Sequence, residues 1–298
     1  MQESKSLKEL NSWRVGGVAQ YFAAPNSIES LKSVWHWAWA RKLKIWVISG
    51  GSNILIQDGE LKGVVISLHE MRGVDHVKTG DQVIIECCAG TSKSEVAKIF
   101  LQNRLAPAVF LTGIPGDMGG GVVMNSGIGE NRVPREFGEI VRSIDVLRID
   151  EKTGEFSLNN ILNSQIKWEY RHSSDWQPGV IVKVTVGWSH TADMQVPDGV
   201  RAQTKKRVST QPLDLPNCGS VFRNPLGHKS AQLIESCGLK GFRIGGAVVS
   251  EKHANFIVND KGATAGDIDK IIKHIRETVL LKTGVELIPE VAYIGEWD

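Results

Sequence analysis

Cysteine is scarce in this chain. There are four in 298 residues, at Cys87, Cys88, Cys218 and Cys237. No two have a CxxC spacing, and the adjacent pair Cys87 and Cys88 would point to opposite faces of a strand. Neither a disulfide framework nor a metal site is suggested, and a reducing cytoplasm is expected. Long apolar runs are missing too. Nothing approaches the ~18 residues of a membrane span, and the first residues, Met-Gln-Glu-Ser-Lys-Ser, have no apolar signal core. An excess of one charge is also absent, with 35 Lys and Arg against 33 Asp and Glu. Without a global field, neither a nucleic-acid nor a membrane partner is expected. The local basic cluster Arg201, Lys205, Lys206 and Arg207 reads as a solvated helix face. Tyrosine is rare, three residues against nine tryptophans, which has no physical account beyond core and cleft packing.

What remains is the composition of a globular enzyme, 41% hydrophobic and 23% charged, and long disorder is excluded. A chain of this length should split into two or three domains, because single cores stop growing near ~250–300 residues. Asn26-Ser-Ile-Glu29 reads as a helix start, followed by the stripe Ile28, Leu31, Trp35, Ala38 and Trp39. Strands are expected over 45–49, 63–68, 83–89, 140–149 and 180–186. Ser92-Lys-Ser-Glu95 resembles a capping box opening a helix to about Arg104. Residues 112–129 read as a glycine-dense loop. Pro197 is expected to break the chain before a basic helix, and a domain boundary is placed there. A last helix spans about 265–282, with Ile268, Ile271, Ile272, Ile275 and Val279 on one face and Gly284 as its cap.

The most informative segment is Gln211-Pro-Leu-Asp-Leu-Pro-Asn-Cys-Gly-Ser-Val-Phe-Arg-Asn-Pro225. It sets one hydroxyl, Ser220, on a loop stiffened by prolines and preceded by a glycine, and closes with Arg223 and Asn224. A small hydroxyl on such a loop is well placed to donate a proton. Gly50-Gly-Ser-Asn53 follows a strand and can turn bare N–H groups toward an anion. It is neither a P-loop nor GxGxxG. Gly113-Ile-Pro-Gly116, with Gly119-Gly-Gly121 and Asn125-Ser-Gly127, lets a flat ring or a diphosphate lie against backbone. Together these segments imply a dinucleotide with both. Arg171, in Tyr170-Arg-His-Ser173, offers a planar fork for a carboxylate. Glu290 lies between apolar residues, where burial would favour its protonated form. His172, His228 and His253 read as structural or solvent-exposed.

Taken in order, these motifs resemble the UDP-N-acetylenolpyruvoylglucosamine reductase family, in its shorter form. The match runs through Arg14-Val-Gly-Gly17, Gly50-Gly-Ser-Asn-Ile-Leu55, Gly113-Ile-Pro-Gly116, Met124-Asn125, Tyr170-Arg171, Cys218-Gly-Ser-Val-Phe-Arg-Asn-Pro225, Gly238-Leu-Lys-Gly-Phe-Arg-Ile-Gly-Gly246, His253-Ala-Asn-Phe256 and Pro289-Glu-Val291. The resemblance implies an α+β fold. A two-lobed FAD-binding domain of the vanillyl-alcohol-oxidase/p-cresol-methylhydroxylase type (1–68 and 69–197) would precede an α+β substrate domain (198–298). It implies non-covalent FAD, since no His or Cys occupies residues 50–53, with NADPH as co-substrate. The acceptor would be the enolpyruvyl ether of a UDP-sugar, on the route to peptidoglycan.

Arg171, Ser220 and Glu290 would then be catalytic. Gly50, Gly51, Ser52, Asn53, Ile54, Gly113, Ile114, Pro115, Gly116, Asn125, Ser126 and Gly127 would hold FAD. Tyr170, Gln211, Arg223 and Asn224 would approach substrate. A monomer is favoured. Asp117, Gly121, Ile128-Gly129 and the sequence His172-Ser-Ser-Asp-Trp176 depart from the family pattern, and Arg223 replaces a common lysine. An alcohol or sugar oxidase of the same fold would not need Ser220, Arg171 and Glu290 together. An inactive nucleotide-binding protein would be expected to lose at least one of them.

Overall fold

The computed structural model describes residues 1–79, 82–128, 133–189 and 191–297; Gly129 of the glycine-dense segment lies outside the described residues. The chain forms two compact units. One comprises residues 22–50 and 63–205, the other residues 2–21, 51–62 and 206–298.

The first unit is organised by a five-stranded antiparallel sheet. Its order is Val74–Thr79, Gln82–Cys88, Val180–Ser189, Val141–Ile149 and Phe156–Leu162. Along Gln82–Cys88 the residues Val83, Ile85 and Cys87 are buried while Glu86 is exposed, the two-residue alternation of a sheet with one face on a core. The central strand Val180–Ser189 is buried along most of its length, as expected of a strand with neighbours on both sides. Strands Ile45–Ile48 and Glu60–Ser67 pair in parallel, Ile45 opposite Val64.

Helix Ile28–Ala40 is capped one residue later than expected. Ser27, not Asn26, accepts from the N–H of Ser30, and the Ser30 hydroxyl closes the box. Helix Lys93–Gln102 starts at Ser92, which accepts from the N–H of Glu95. Two further outcomes differ from the sequence reading. The glycine-dense segment contains the short helix Met118–Val123. Three glycines in a helix cost about 1 kcal/mol each relative to alanine. Here a Cβ on Gly119 would come 2.8 Å from that of Ala89, and one on Gly121 would sit 2.2 Å from the Phe137 ring. Close packing overrides propensity. Pro197 does not break the chain either. It lies in the first turn of helix Val196–Thr210, where no intrahelical donor is needed.

The second unit is built on helix Ala265–Thr283. Thr264 and Asp267 form its capping box, and Gly284 ends it in the left-handed region at φ +71°. The expected stripe, Ile268, Ile271, Ile272, Ile275 and Val279, is buried in a cluster with Trp13, Val15, Leu55, Phe222 and Leu287. Trp13 has no exposed surface. Its indole N–H donates to the Ile257 carbonyl at 2.7 Å, and its own carbonyl accepts from the Asn259 amide at 2.9 Å. Residues from the start of the chain are thus part of the core of the C-terminal third. Strand Ile54–Ile56 pairs in parallel with Ala292–Ile294. A three-stranded sheet, Arg243–Ile244, Ala247–Val249 and Ile257–Asn259, completes the unit.

The long helix also depends on a residue far away in sequence. The Asp58 carboxylate accepts from the N–H groups of Ala265 (3.1 Å) and Gly266 (2.9 Å). This satisfies two donors of the first turn and places negative charge at the positive end of the helix dipole. Asp58→Ala should therefore lower stability by about 1 kcal/mol, seen as a lower urea midpoint at unchanged slope.

Candidate active site

In the second unit two segments meet as a short antiparallel ladder. Phe222 bridges Pro289. The Arg223 N–H donates to the Ile288 carbonyl at 3.0 Å, and the Glu290 N–H to the Val221 carbonyl at 2.7 Å. Ser220 and Glu290 therefore leave the ladder at the same end. Gly219 precedes Ser220 at φ +86°, with open space where a side chain would stand. The left-handed turn needs glycine, and it turns Ser220 outward. Ser220 is exposed, Glu290 half-buried.

Asparagines hold this arrangement. Asn255, 3% exposed, accepts from the Phe222 N–H at 2.9 Å and donates to the Phe222 carbonyl at 2.9 Å, while its own carbonyl accepts from Val221. Asn217 accepts from the Gly219 N–H and donates to the carbonyls of Pro212 and Leu215. Asn53 donates to the Glu290 carbonyl at 3.0 Å. Asn224 accepts from the N–H of Ser230 at the start of helix Ser230–Ser236, and Gln211 accepts from Arg207. Arg223 carries a buried Nε with no hydrogen-bond partner among the described residues. Cys218 is buried, which pushes its thiol pKa up.

Arg171 belongs to the first unit. Strands Lys167–Glu169 and His172–Ser174 pair with Glu169 opposite His172, so Tyr170 and Arg171 form a two-residue hairpin loop. Arg171 adopts φ +57°, a conformation that costs a non-glycine residue about 1 kcal/mol or more. Its guanidinium lies 4.7 Å from the Tyr170 ring centre and donates to the Gly127 carbonyl at 2.7 Å. Asn125, fully buried, anchors the loop. Its amide donates to the Glu169 carbonyl at 2.9 Å and accepts from the Gly138 N–H at 3.0 Å.

The glycine segments come together within the same unit. A Cβ on Gly50 would be 3.0 Å from Gly116 Cα, so backbone meets backbone there. Two polar side chains border these segments, and both escaped the sequence reading. Gln203 is 5% exposed, its Oε1 has no partner among the described residues, and its Nε2 lies within 2.9 Å of where a Gly113 Cβ would stand. Lys93, 2% exposed, donates to the Pro115 carbonyl at 2.8 Å. A bare backbone, a buried cation and an orphaned amide oxygen fit a ligand with a diphosphate and a polar ring. The predicted FAD residues Gly50, Gly113–Gly116 and Asn125–Gly127 lie in this unit, and Gly51, Ser52, Asn53 and Ile54 in the other. Neither Gln203 nor Lys93 had a local signal. Both sit on helices whose neighbours are polar, and each is buried by a glycine segment distant in sequence.

Of the histidines, His228 and His172 are exposed. His253 is half-buried against Phe256 and accepts from the Asn255 N–H, and burial lowers its pKa. Among the described residues no cluster of His, Cys, Asp or Glu could hold a metal, and no helix is long and apolar enough to cross a membrane.

Residues 19–156 match the family model of an FAD binding domain, and residues 211–294 that of the UDP-N-acetylenolpyruvoylglucosamine reductase C-terminal domain. A UDP-N-acetylenolpyruvoylglucosamine reductase of Synechococcus sp. (strain RCC307) is 38% identical over 99% of this chain and 94% of its own length. One from Clostridium beijerinckii is 36% identical over 99% and 93%. The chain belongs to the UDP-N-acetylenolpyruvoylglucosamine reductase family. The crystal structure of the reductase from Thermus caldophilus superposes with a TM-score of 0.76 at 25% identity, covering 97% of both chains. The fold expected from sequence is therefore present in its domains: an FAD-binding domain followed by the reductase family's own C-terminal domain, in an α+β chain. The protein is an FAD-binding oxidoreductase.

In this chain the Asn255 contacts set the conformation of the Ser220 loop. Asn255→Ala leaves the buried Phe222 peptide without either partner, at a cost of about 2–4 kcal/mol. Thermal unfolding should report that loss, whereas Asn224→Ala, which removes one contact at an exposed side chain, should cost about 1 kcal/mol or less.

Proposed function

We propose that this chain reduces the enolpyruvyl ether of UDP-N-acetylglucosamine to UDP-N-acetylmuramate, in the cytoplasm, for peptidoglycan precursor synthesis. FAD, held without a covalent bond, would supply the hydride, with NADPH as the reductant. The observation that carries this reading is the ladder that sets a hydroxyl, Ser220, and a carboxyl, Glu290, at one end of two paired segments. An oxidase acting on an alcohol has no need of that pair.

Hydride addition at the vinyl C3 leaves negative charge at C2, conjugated to a carboxylate that is already anionic. Arg171 holds that carboxylate and offsets the growing charge, and its strained backbone is consistent with a side chain fixed for a task. Glu290, protonated, donates a hydrogen bond to the same group. Ser220 gives its proton to C2, so that one hydride and one proton complete the addition across the double bond. The Ser220 hydroxyl makes no hydrogen bond among the described residues and is therefore not tied up in the scaffold. Tyr170, Gln211, Arg223 and Asn224 contact the substrate. The backbone at residues 50–54, 113–116 and 125–127 cradles FAD, with Asn125 acting through the position it gives Ser126 and Gly127. The division into lobes 1–68 and 69–197 and a substrate domain 198–298, and a monomeric state, belong to the same proposal.

The test is anaerobic and spectroscopic. The purified protein is reduced with NADPH, and the enolpyruvyl sugar nucleotide is then added. Return of the oxidised flavin band supports both half-reactions; a flavin that is reduced but ignores the substrate would assign this chain to another flavoenzyme reaction. Ser220→Ala should leave flavin reduction by NADPH intact and slow reoxidation by substrate about 10²- to 10⁴-fold, the usual worth of a general acid. Survival of both half-reactions in that variant would remove Ser220 from the proton-donor role.

A further inference from the structure

Lys93 is the second residue of a serine-rich helix start, a place where lysine is ordinarily solvated. Here it is 2% exposed. Its ammonium donates to the Pro115 carbonyl at 2.8 Å and to Ser126 Oγ at 3.4 Å. Its backbone N–H donates to the Gly116 carbonyl at 3.1 Å. One side chain thus ties together the two glycine segments, residues 113–116 and 125–127. The space it occupies exists because residue 121 is glycine. A Cβ there would be 2.8 Å from Lys93 Cε, and the ammonium stands 5.5 Å from the Phe137 ring centre.

This arrangement is poor for stability alone. A buried cation held by a carbonyl and a hydroxyl loses more hydration than those partners return, and an apolar side chain of the same length would serve a purely structural role better. The charged group set against it is Asp117, 3% exposed, whose carboxylate accepts from Ser49 Oγ at 2.8 Å and faces His69 Nδ1 at 2.8 Å. Around these lie Arg72, bonded to His69, then Glu95 two residues along the helix that Lys93 begins, and Glu136 and Arg171 beside Gly127.

We propose that Lys93 is a positioning residue for the FAD diphosphate: its charge locks Pro115 to Ser126 and makes the cradle beneath the glycine segments electropositive. This rests on the reading of those segments as the FAD site. The burial that makes the charge unfavourable in the empty protein also keeps its field unscreened by water, where a dianion can use it. Burial pushes the Lys93 pKa down to about 7, with Asp117 acting in the opposite direction. A bound diphosphate favours the protonated form, so FAD binding takes up a proton, and affinity should be fully present below about pH 7 and fall above it. In the apoprotein the sign is reversed. The unfolded chain keeps its lysine proton up to about pH 10, so the buried lysine lowers stability, most fully below pH 7.

The experiment uses protein stripped of flavin and measures FAD affinity by fluorescence quenching between about pH 6 and 9, for wild type and Lys93→Met. The expected result has three parts. Near pH 6.5 the variant should bind FAD about 10- to 100-fold more weakly, the range for a lost charged hydrogen bond. Its apoprotein should melt at a higher temperature than wild type. The wild-type affinity should fall toward the variant's as pH rises, while the variant's stays flat. Equal affinities, or a wild-type affinity that does not change between pH 6 and 9, would overturn the proposal; the second reading needs no variant. If wild-type apoprotein binds no FAD, the cofactor site itself is wrong and this inference falls with it. Tight wild-type binding matched by the variant removes Lys93 alone.

Discussion

The second unit depends on one buried peptide group. Phe222 is 1% exposed, in the middle of the segment that carries Ser220, and both polar atoms of its backbone are taken by the Asn255 side chain. Water cannot reach that peptide, so a lost partner costs the full desolvation of an amide group. With the peptide fixed, its neighbours pair with Ile288 and Glu290. The Phe222 ring in turn fills the cluster around helix Ala265–Thr283. The catalytic reading of Ser220 and Glu290 is thus a consequence of how this unit packs, since no rearrangement of one segment can leave the other in place.

The first unit solves a different problem, bringing backbone close to backbone. Gly119 against Ala89 and Gly121 against Phe137 leave no room for a Cβ, and one on Gly50 would press on Gly116 Cα at 3.0 Å. Glycine is a poor helix former, and Met118–Val123 would not be helical by itself. What the packing gains is exposure of peptide groups in a region with few side chains, and a pocket deep enough to enclose a lysine. Propensity, stability and binding pull in different directions here. Sequence rules are expected to fail at such places.

Much of the fold was legible because its periodic signals are local. The stripe on helix Ala265–Thr283, its Gly284 cap and the alternation in Gln82–Cys88 follow from residues within one turn or one strand of each other. The failures have a common cause. Asn26 and Ser27 are both good caps, and only the presence of a second serine at residue 30 selects the later one. The helix Met118–Val123 is decided by Phe137 and Ala89, which lie outside any local window. Pro197 reads as a breaker because its helix is too polar to show a period, with only Val196 and Gln203 buried. The packing of residues 2–21 against the C-terminal third had no sequence signal, since it rests on Trp13 meeting Ile257 and Asn259 across more than two hundred residues.

Reading the site from sequence had a subtler bias. Asn53 and Asn125, each two residues from a glycine, and Asn224, beside a proline, all look like ligand residues. In the structure each has a side-chain atom engaged with backbone, as do Asn217 and Asn255. An amide side chain carries a donor and an acceptor, matching a peptide group, and so can splice a turn into a rigid neighbour without placing a charge. Hydroxyls, carboxyls and guanidinium groups do this less completely and keep bonding capacity in reserve. Asparagines beside Ser220 and Glu290 in one unit, and Asn125 beside the Arg171 hairpin in the other, therefore hold backbone without placing a charge. The same logic marks Lys93 as unusual, because it is a charged group doing a job that an amide would do with less loss of stability.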